Sequence, residues 1–218
     1  NKKYWKIARP HGGKIEPNKE LKYASMMTSR GCPFACAYCH IALETNDSMS
    51  GEIGAFRVKS DERVLEELII LRDKIGVNQV FIEDDSIFGK KKRAIRILKK
   101  IIGFGLELMD VNGINMIHLL KKDPNRVGHL VPNEEVIELL AEVGFKDIVI
   151  PFESANQRII KKWCSNKVDL NRFDAETLIK TIKKYNLRVG TNYMLGFPDE
   201  TKEEIHNTIN FAKKMSNE

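Results

Sequence analysis

Apolar residues follow two spacings that take turns along the chain. Residues 23–28 read as a short buried strand. Ser60 then caps a helix whose apolar face is Val64, Leu65, Leu68, Leu71 and Ile75, and Gly76 ends it. Val80, Phe81 and Ile82 form a second strand closing on Glu83, Asp84 and Asp85. The next helix carries Ala94, Ile95, Leu98, Ile101 and Ile102, with Gly103 and Gly105 as its stop. Residues 106–111 predict a third strand, and the stretch from there to Pro132 is only weakly patterned. Asn133 caps a helix with Glu134 and Glu135 in its first turn and Gly144 behind it. Ile148, Val149 and Ile150 make a fourth strand that closes on Phe152, Glu153 and Ser154. A short helix at 157–163 and an amphipathic one at 175–185 follow, then a fifth strand at 188–195 ending in Gly196. Thr201 and Glu204 have capping-box spacing, so a last helix runs towards Met215.

Short strands alternating with helices of about three turns imply β/α crossovers and a parallel sheet. The expected fold class is α/β, a partial (βα) TIM-like barrel, apparently truncated after the fifth strand and its helix. Residues 1–22 are polar, with Pro10, Gly12, Gly13 and Pro17, and read as a linker or lead-in; residues 23–218 read as one core domain. Residues 44–54, rich in Asn, Asp, Ser and Gly, read as a loop. The polar clusters fall at the C-terminal ends of the strands, where α/β barrels assemble their sites.

Charge changes this picture little. The net charge of +6 is spread out, and the densest basic run, from Lys90 to Arg93, continues into Arg96, Lys99 and Lys100 as a solvated helix face. No aromatic residues interleave with it, so nucleic acid is not the expected partner. No apolar run is long enough for a membrane span and no signal peptide is visible at residue 1.

The cysteines change it a great deal. Three of the four, Cys32, Cys36 and Cys39, stand in a C-x3-C-x2-C loop after the first strand. Crowded thiols in a chain of 218 residues do not form a disulfide framework, and they point to a reducing compartment, the cytoplasm. A structural zinc site would need a fourth ligand, for which Cys164 and scattered histidines are the candidates. Cys36 to His40 also fits the C-x-x-C-H haem-attachment spacing, which leaves Cys32 unexplained. An iron–sulfur cube with three thiolate corners uses all three and leaves one iron open to a small molecule.

The phrase from Thr28 to Cys39, with Tyr38 before the last cysteine, resembles the radical S-adenosylmethionine enzymes. Residues 82–88, 152–156 and 194–201 extend the likeness to roughly 23–216, and to the branch that often carries a cobalamin-binding domain upstream. The resemblance implies a 4Fe–4S cluster on Cys32, Cys36 and Cys39. It implies S-adenosylmethionine on the open iron, cleaved after one-electron reduction to methionine and a 5′-deoxyadenosyl radical that takes a hydrogen atom from substrate. A reductant such as flavodoxin or ferredoxin follows as a partner. The resemblance further implies Tyr38 beside the adenine, one of Glu83, Asp84 and Asp85 at the methionine ammonium, Glu153 and Ser154 at the ribose or methionine, and Asn192, Met194 and Gly196 along the base. A Gly-Gly-Glu-Pro segment found in many members is here Glu83-Asp84-Asp85. Cobalamin, if used, is bound by a domain outside this chain. The resemblance points to a cobalamin-dependent methyltransferase. The alternatives are a methylthiotransferase acting on tRNA or a ribosomal protein, and a non-catalytic iron–sulfur module. Cys164, beside Trp163, reads as a buried thiol rather than a second catalytic cysteine, and His40 as a residue behind the cluster.

Overall fold

A computed structural model of the chain describes Trp5 and residues 22–46, 53–165 and 169–217. Five strands, β1 (Tyr23–Met26), β2 (Gln79–Ile82), β3 (Glu107–Asp110), β4 (Phe145–Glu153) and β5 (Arg188–Tyr193), lie side by side in chain order, all parallel. The helices between them are α1 (His40–Asn46), α2 (Asp61–Ile69), α3 (Lys91–Lys100), α4 (Glu134–Glu142), α5 (Gln157–Trp163) and α6 (Ala175–Lys184), and α7 (Lys202–Ser216) follows β5. This is the expected α/β architecture of a partial barrel, with β1 and β5 at the edges of the sheet.

Right-handed crossovers between sequential parallel neighbours put the helices on one face. There Val80, Ile82, Leu108, Ile148 and Ile150 pack with Val64, Leu68, Ile97, Leu98, Ile137, Leu140, Leu178 and Ile182 in one continuous core. The alternate strand positions face the other way and mix polar residues with Phe81, Met109 and Val149. Ser25 Oγ donates to Glu83 (2.9 Å), Gln79 Nε2 to Glu107 (3.5 Å), and Arg188 Nε to Asp147 (2.5 Å).

The predicted helix signals hold. Ser60 Oγ accepts the N–H of Arg63 (3.1 Å), and Gly76, in the left-handed conformation, closes the helix after a wider π turn at Ile70–Ile75. Thr201 and Glu204 form a complete capping box. Asn133 stands at the N-cap of α4, but its side chain makes no cap bond.

Several expectations need correction. Ile97, not Ile102, completes the buried face of α3; Ile102 lies beyond the helix end and is exposed. Residues 44–46, read as loop, belong to α1, and the rest of that predicted loop up to residue 52 lies outside the described residues. The weakly patterned stretch contains an antiparallel hairpin, Leu120–Lys122 with Leu130–Pro132. Ser29–Arg30 pairs antiparallel with Arg57–Val58. Two- and three-residue ladders are too short to imprint a period of two. Most of the predicted lead-in lies outside the described residues, yet Trp5 is buried in the core and donates Nε1 to the carbonyl of Tyr23 (2.8 Å).

The basic run is not uniformly solvated either. Arg93 is buried, whereas Lys90 and Lys92 are exposed. Beside it an open groove of about 860 Å³ is lined by residues from Val58 to Glu62 and from Lys90 to Lys100. Its positive charges surround a buried acid: Asp61 accepts from Arg96 Nε (2.5 Å) and lies 3.8 Å from Lys100 Nζ and 3.9 Å from Arg93 Nε. Arg96 beside it holds the Asp61 carboxyl below the usual carboxylate range. The groove is charge-compensated packing on the helix side.

Candidate functional site

The cysteine loop is fastened at both ends. Leaving β1, the chain is gripped by Asp84: Thr28 N–H donates to Oδ1 (2.6 Å), and the hydroxyls of Thr28 (2.6 Å) and Ser29 (2.5 Å) donate to Oδ2. Arg93 reaches in from α3 and donates Nη2 to the carbonyls of Thr28 (3.0 Å) and Lys59 (2.8 Å). Gly31 comes next at φ +75°, where a Cβ would lie 2.3 Å from the Gly54 carbonyl oxygen, so glycine alone fits. Its N–H donates to Asp85 Oδ2 (2.8 Å). At the far end, Ala37 N–H donates to the carbonyl of Trp163 (2.9 Å) at the end of α5, and Trp163 Nε1 donates to Asp199 (2.7 Å).

Between these anchors the loop curls. Cys39 N–H donates to the carbonyl of Cys36 (3.0 Å), and α1 starts at His40. Cys32, Cys36 and Cys39 line one cavity of about 230 Å³ together with Tyr38, His40, Asp85, Asn115 and Glu153. Cys36 is buried and the other two are half-buried; none is in a disulfide.

The far wall is made by the end of β4. The β4–β5 register shifts between Pro151 and Glu153, and Glu153 takes φ +67°, a conformation that costs a non-glycine residue on the order of 1–3 kcal/mol. The shift turns its carboxylate to the loop, where Tyr38 Oη donates to Oε1 (2.5 Å). Burial and then this bond push the Tyr38 hydroxyl far above its ordinary pKa, so it remains a donor. The Glu153 carbonyl accepts the N–H of Met194 (2.7 Å), joining the same residue to the end of β5.

The predicted site residues thus separate. Tyr38, Asp85 and Glu153 share the cysteines' cavity. Asp84 is buried and spends both carboxylate oxygens on Thr28 and Ser29; desolvation raises its pKa despite those bonds. Glu83 accepts from Ser25 on the polar face of the sheet. Ser154 is fully buried, its hydroxyl 3.2 Å from Thr208 Oγ1 and accepting from Asn156 N–H (3.1 Å), so it docks α7 instead of facing the cavity. Asn192 is exposed within β5, opposite Pro151; Gly196 is exposed past the end of the sheet, where its N–H donates to Glu200 (2.6 Å), and Met194 is half-buried beside Phe197. Cys164 is fully buried among Ile159, Ile160 and Phe197, as the buried-thiol reading expects, and His40 lines the cavity.

Three residues beyond those predicted matter here. Asn115 lines the cavity from the loop after β3. The ring of His118 lies on Phe88 and near Phe34 of the cysteine loop; burial lowers its pKa to about 4, so it stays neutral. Asp110, at the end of β3, accepts from Val149 N–H (3.3 Å), and burial raises its pKa to about 7. No motif marks any of the three, since a lone polar residue at a strand end reads as surface.

Asp110 carries a testable consequence. Its folded pKa lies above its unfolded value, so folding favours the protonated form. The stability it contributes is fully present below the unfolded value near 3.8 and is lost as pH rises towards about 7. Asp110→Asn keeps an acceptor for Val149 and is expected to flatten this slope. Melting temperatures of both proteins from pH 4 to 8 check it: parallel profiles would refute the assignment.

The donor set fits a cluster better than a single ion. Three thiols share one cavity, while among the described residues no three His, Cys, Asp or Glu side chains converge as a mononuclear metal site would require. A 4Fe–4S cube, three of whose four irons take a thiolate, accepts thiolates spread around a loop.

Comparison with known proteins agrees with this geometry. The Radical SAM superfamily profile matches residues 26–212. The chain belongs to the radical SAM superfamily. It is 34% identical over 195 residues to an uncharacterized methyltransferase of Pyrococcus horikoshii, covering 89% of this chain and 38% of that protein. It is 26% identical over 200 residues to the ribosomal protein uS12 methylthiotransferase RimO of Desulfitobacterium hafniense, covering 89% of this chain and 40% of the relative. In fold it is similar to the radical S-adenosylmethionine methyltransferase TsrM of Kitasatospora setae, whose structure holds cobalamin and a [4Fe-4S] cluster. That match has a TM-score of 0.66 at 16% identity and covers 89% of this chain and 35% of the other. The chain therefore spans about two-fifths or less of these relatives. No helix among the described residues is long and apolar enough to cross a membrane.

Proposed function

We propose that this chain is the catalytic core of a radical S-adenosylmethionine methyltransferase working with cobalamin held outside these residues. The observation that carries the reading is the convergence of Cys32, Cys36 and Cys39 with Tyr38, Asp85 and Glu153 on one cavity at the strand ends. The three cysteines would hold a 4Fe–4S cluster. Reduced and loaded with S-adenosylmethionine, the cluster supplies hydrogen-abstracting radical chemistry. The chain's own residues bind and orient. Asp85 and Glu153 present carboxylate oxygens to an ammonium or to ribose hydroxyls. Tyr38 contributes an aromatic wall, T-shaped against Phe197 (5.8 Å), whose far neighbour is Trp163. Met194, whose N–H bonds the Glu153 carbonyl, borders the same side. Asp84 and Ser154 serve as scaffold for the loop and for α7. The electron comes from an external one-electron donor of the flavodoxin or ferredoxin type, and cysteines outside any disulfide suit the cytoplasm.

Anaerobic reconstitution of the whole protein with iron and sulfide, then dithionite and S-adenosylmethionine, tests this. Radical chemistry leaves methionine and 5′-deoxyadenosine; methyl donation leaves S-adenosylhomocysteine. An intact cluster that yields neither would overturn the proposal. The match to a methylthiotransferase favours a second reading, transfer of a methylthio group to a tRNA or ribosomal protein. That reading requires a second cluster in the whole protein, so the iron content decides between the two.

A further inference from the structure

Positive charge collects on one face beside the cysteine loop. A groove of about 560 Å³, lined by Met27, Ser29, Arg30, Arg57, Val58 and Lys59, continues into the larger groove along α3. Val58 and Lys59 are common to both. Nine lysines and arginines line the two grooves against two acids, Asp61 and Glu62. The chain as a whole carries +6, so this face holds the whole surplus and the rest is close to neutral. Compensation ends at the groove floor, where Asp61 answers Arg93, Arg96 and Lys100. The rim has none. Arg30, Lys90 and Lys92 are exposed and make no ion pair among the described residues. The Arg57 side chain donates to the carbonyls of Ile53 (2.7 Å) and Ala55 (3.1 Å), which leaves its charge unanswered.

This face lies against the back of the cysteine cavity. Ser29–Arg30 leads into the loop and pairs with Arg57–Val58. Arg30 lines the groove and Cys32 lines the cavity, with Gly31 alone between them. Two peptide units span about 7 Å at most. No residue lines both spaces, so a body seated in the grooves leaves the cavity free for ligand.

An electron has to reach the cluster from outside, and transfer needs a close approach but no shared cavity. A concentrated basic face draws in an acidic protein and speeds its arrival. Brief electron-transfer encounters bury little surface, so no large apolar patch is needed. RNA would meet the same charge, but no aromatic residue lines either groove to stack a base. We propose that this face docks an acidic one-electron carrier protein of the flavodoxin class, and that the electron enters from the Arg30 side. This rests on the function proposed above. The anionic, two-electron-reduced flavin gives one electron to the oxidised cluster and becomes its neutral one-electron-reduced form; no proton moves.

Fluorescence anisotropy of a labelled bacterial flavodoxin, titrated with the reconstituted whole protein, reads docking without turnover. Wild-type affinity should fall at least tenfold between roughly 50 and 300 mM salt. Arg30→Glu, Lys90→Glu and Lys92→Glu together reverse three rim charges. At the lower salt this triple variant should bind flavodoxin roughly tenfold to a hundredfold more weakly. Flavodoxin should also reduce its cluster more slowly by a like factor in stopped flow. Photoreduced deazaflavin, a small donor that needs no docking site, should reduce both proteins alike. Lys146→Glu, Lys202→Glu and Lys213→Glu together make the same change of charge outside the grooves and should cost less than about threefold.

Equal losses in the two triple variants, or wild-type binding that ignores salt, would overturn the proposal. A groove variant that loses affinity for tRNA but none for flavodoxin would overturn it too, by giving the face to nucleic acid. Should the groove triple fail to hold iron, Lys90→Glu with Lys92→Glu, both at the start of α3 and away from the cysteine loop, makes the same comparison. A wild-type cluster that flavodoxin reduces, but that then leaves S-adenosylmethionine intact, would sink the function proposed above and leave the docking face standing.

Discussion

Cys32→Ala, Cys36→Ala and Cys39→Ala, each alone, are expected to abolish stable cluster assembly. After anaerobic reconstitution each should lose most of its iron and its broad visible absorbance. The reason is stoichiometric: three thiols face the cavity, and no other cysteine lies there to substitute. Cys36 is the most buried of the three, so solvent is poorly placed to substitute for its thiolate. Cys164→Ala is the control. That thiol sits in an apolar nest behind α5, and its removal should cost roughly 1 kcal/mol of stability and no iron. A Cys36→Ala protein retaining full iron would refute the cluster assignment; so would a Cys164→Ala protein that loses it.

Asp84→Ala is expected to be the most damaging change outside the cysteines. It leaves three donors unpaired in a buried place: the Thr28 N–H and the hydroxyls of Thr28 and Ser29. The loss should be on the order of 3–5 kcal/mol, with a melting temperature lower by roughly 10 °C. Asp84→Asn should cost much less. Its Oδ1 still receives the Thr28 N–H, and the two hydroxyls can rotate to accept from the new amide. Were Asp84 a ligand-binding acid, the pattern would invert: the asparagine variant would be as stable as wild type but would fail to bind S-adenosylmethionine. Thermal melts and dialysis on the same pair of variants distinguish scaffold from ligand contact.

This contrast marks how far the sequence could be read. The alternation of strands and helices was plain because Ser60, Gly76 and the Thr201–Glu204 pair mark helix ends by local bonding. The cysteine triplet was plain because its spacing leaves few chemistries. Which of three consecutive acids meets a ligand was not legible. Glu83, Asp84 and Asp85 differ only in direction, and direction is decided by β1 and Gly31, more than fifty residues earlier in sequence. Ser154 was misleading for a related reason: its partner is Thr208, and no local pattern announces a contact between a strand end and the second turn of a later helix. Arg93 was hidden in a run of like residues, one of which turns inward. Asn115 had no neighbours to form a motif with.

The cysteine loop is tied to β2 at its start and to α5 at its end by bonds that involve no cysteine sulfur. The ends of its socket are therefore held by bonds that do not depend on iron. Removing the iron and sulfide is expected to leave the rest of the fold standing, which far-UV circular dichroism of the stripped protein checks.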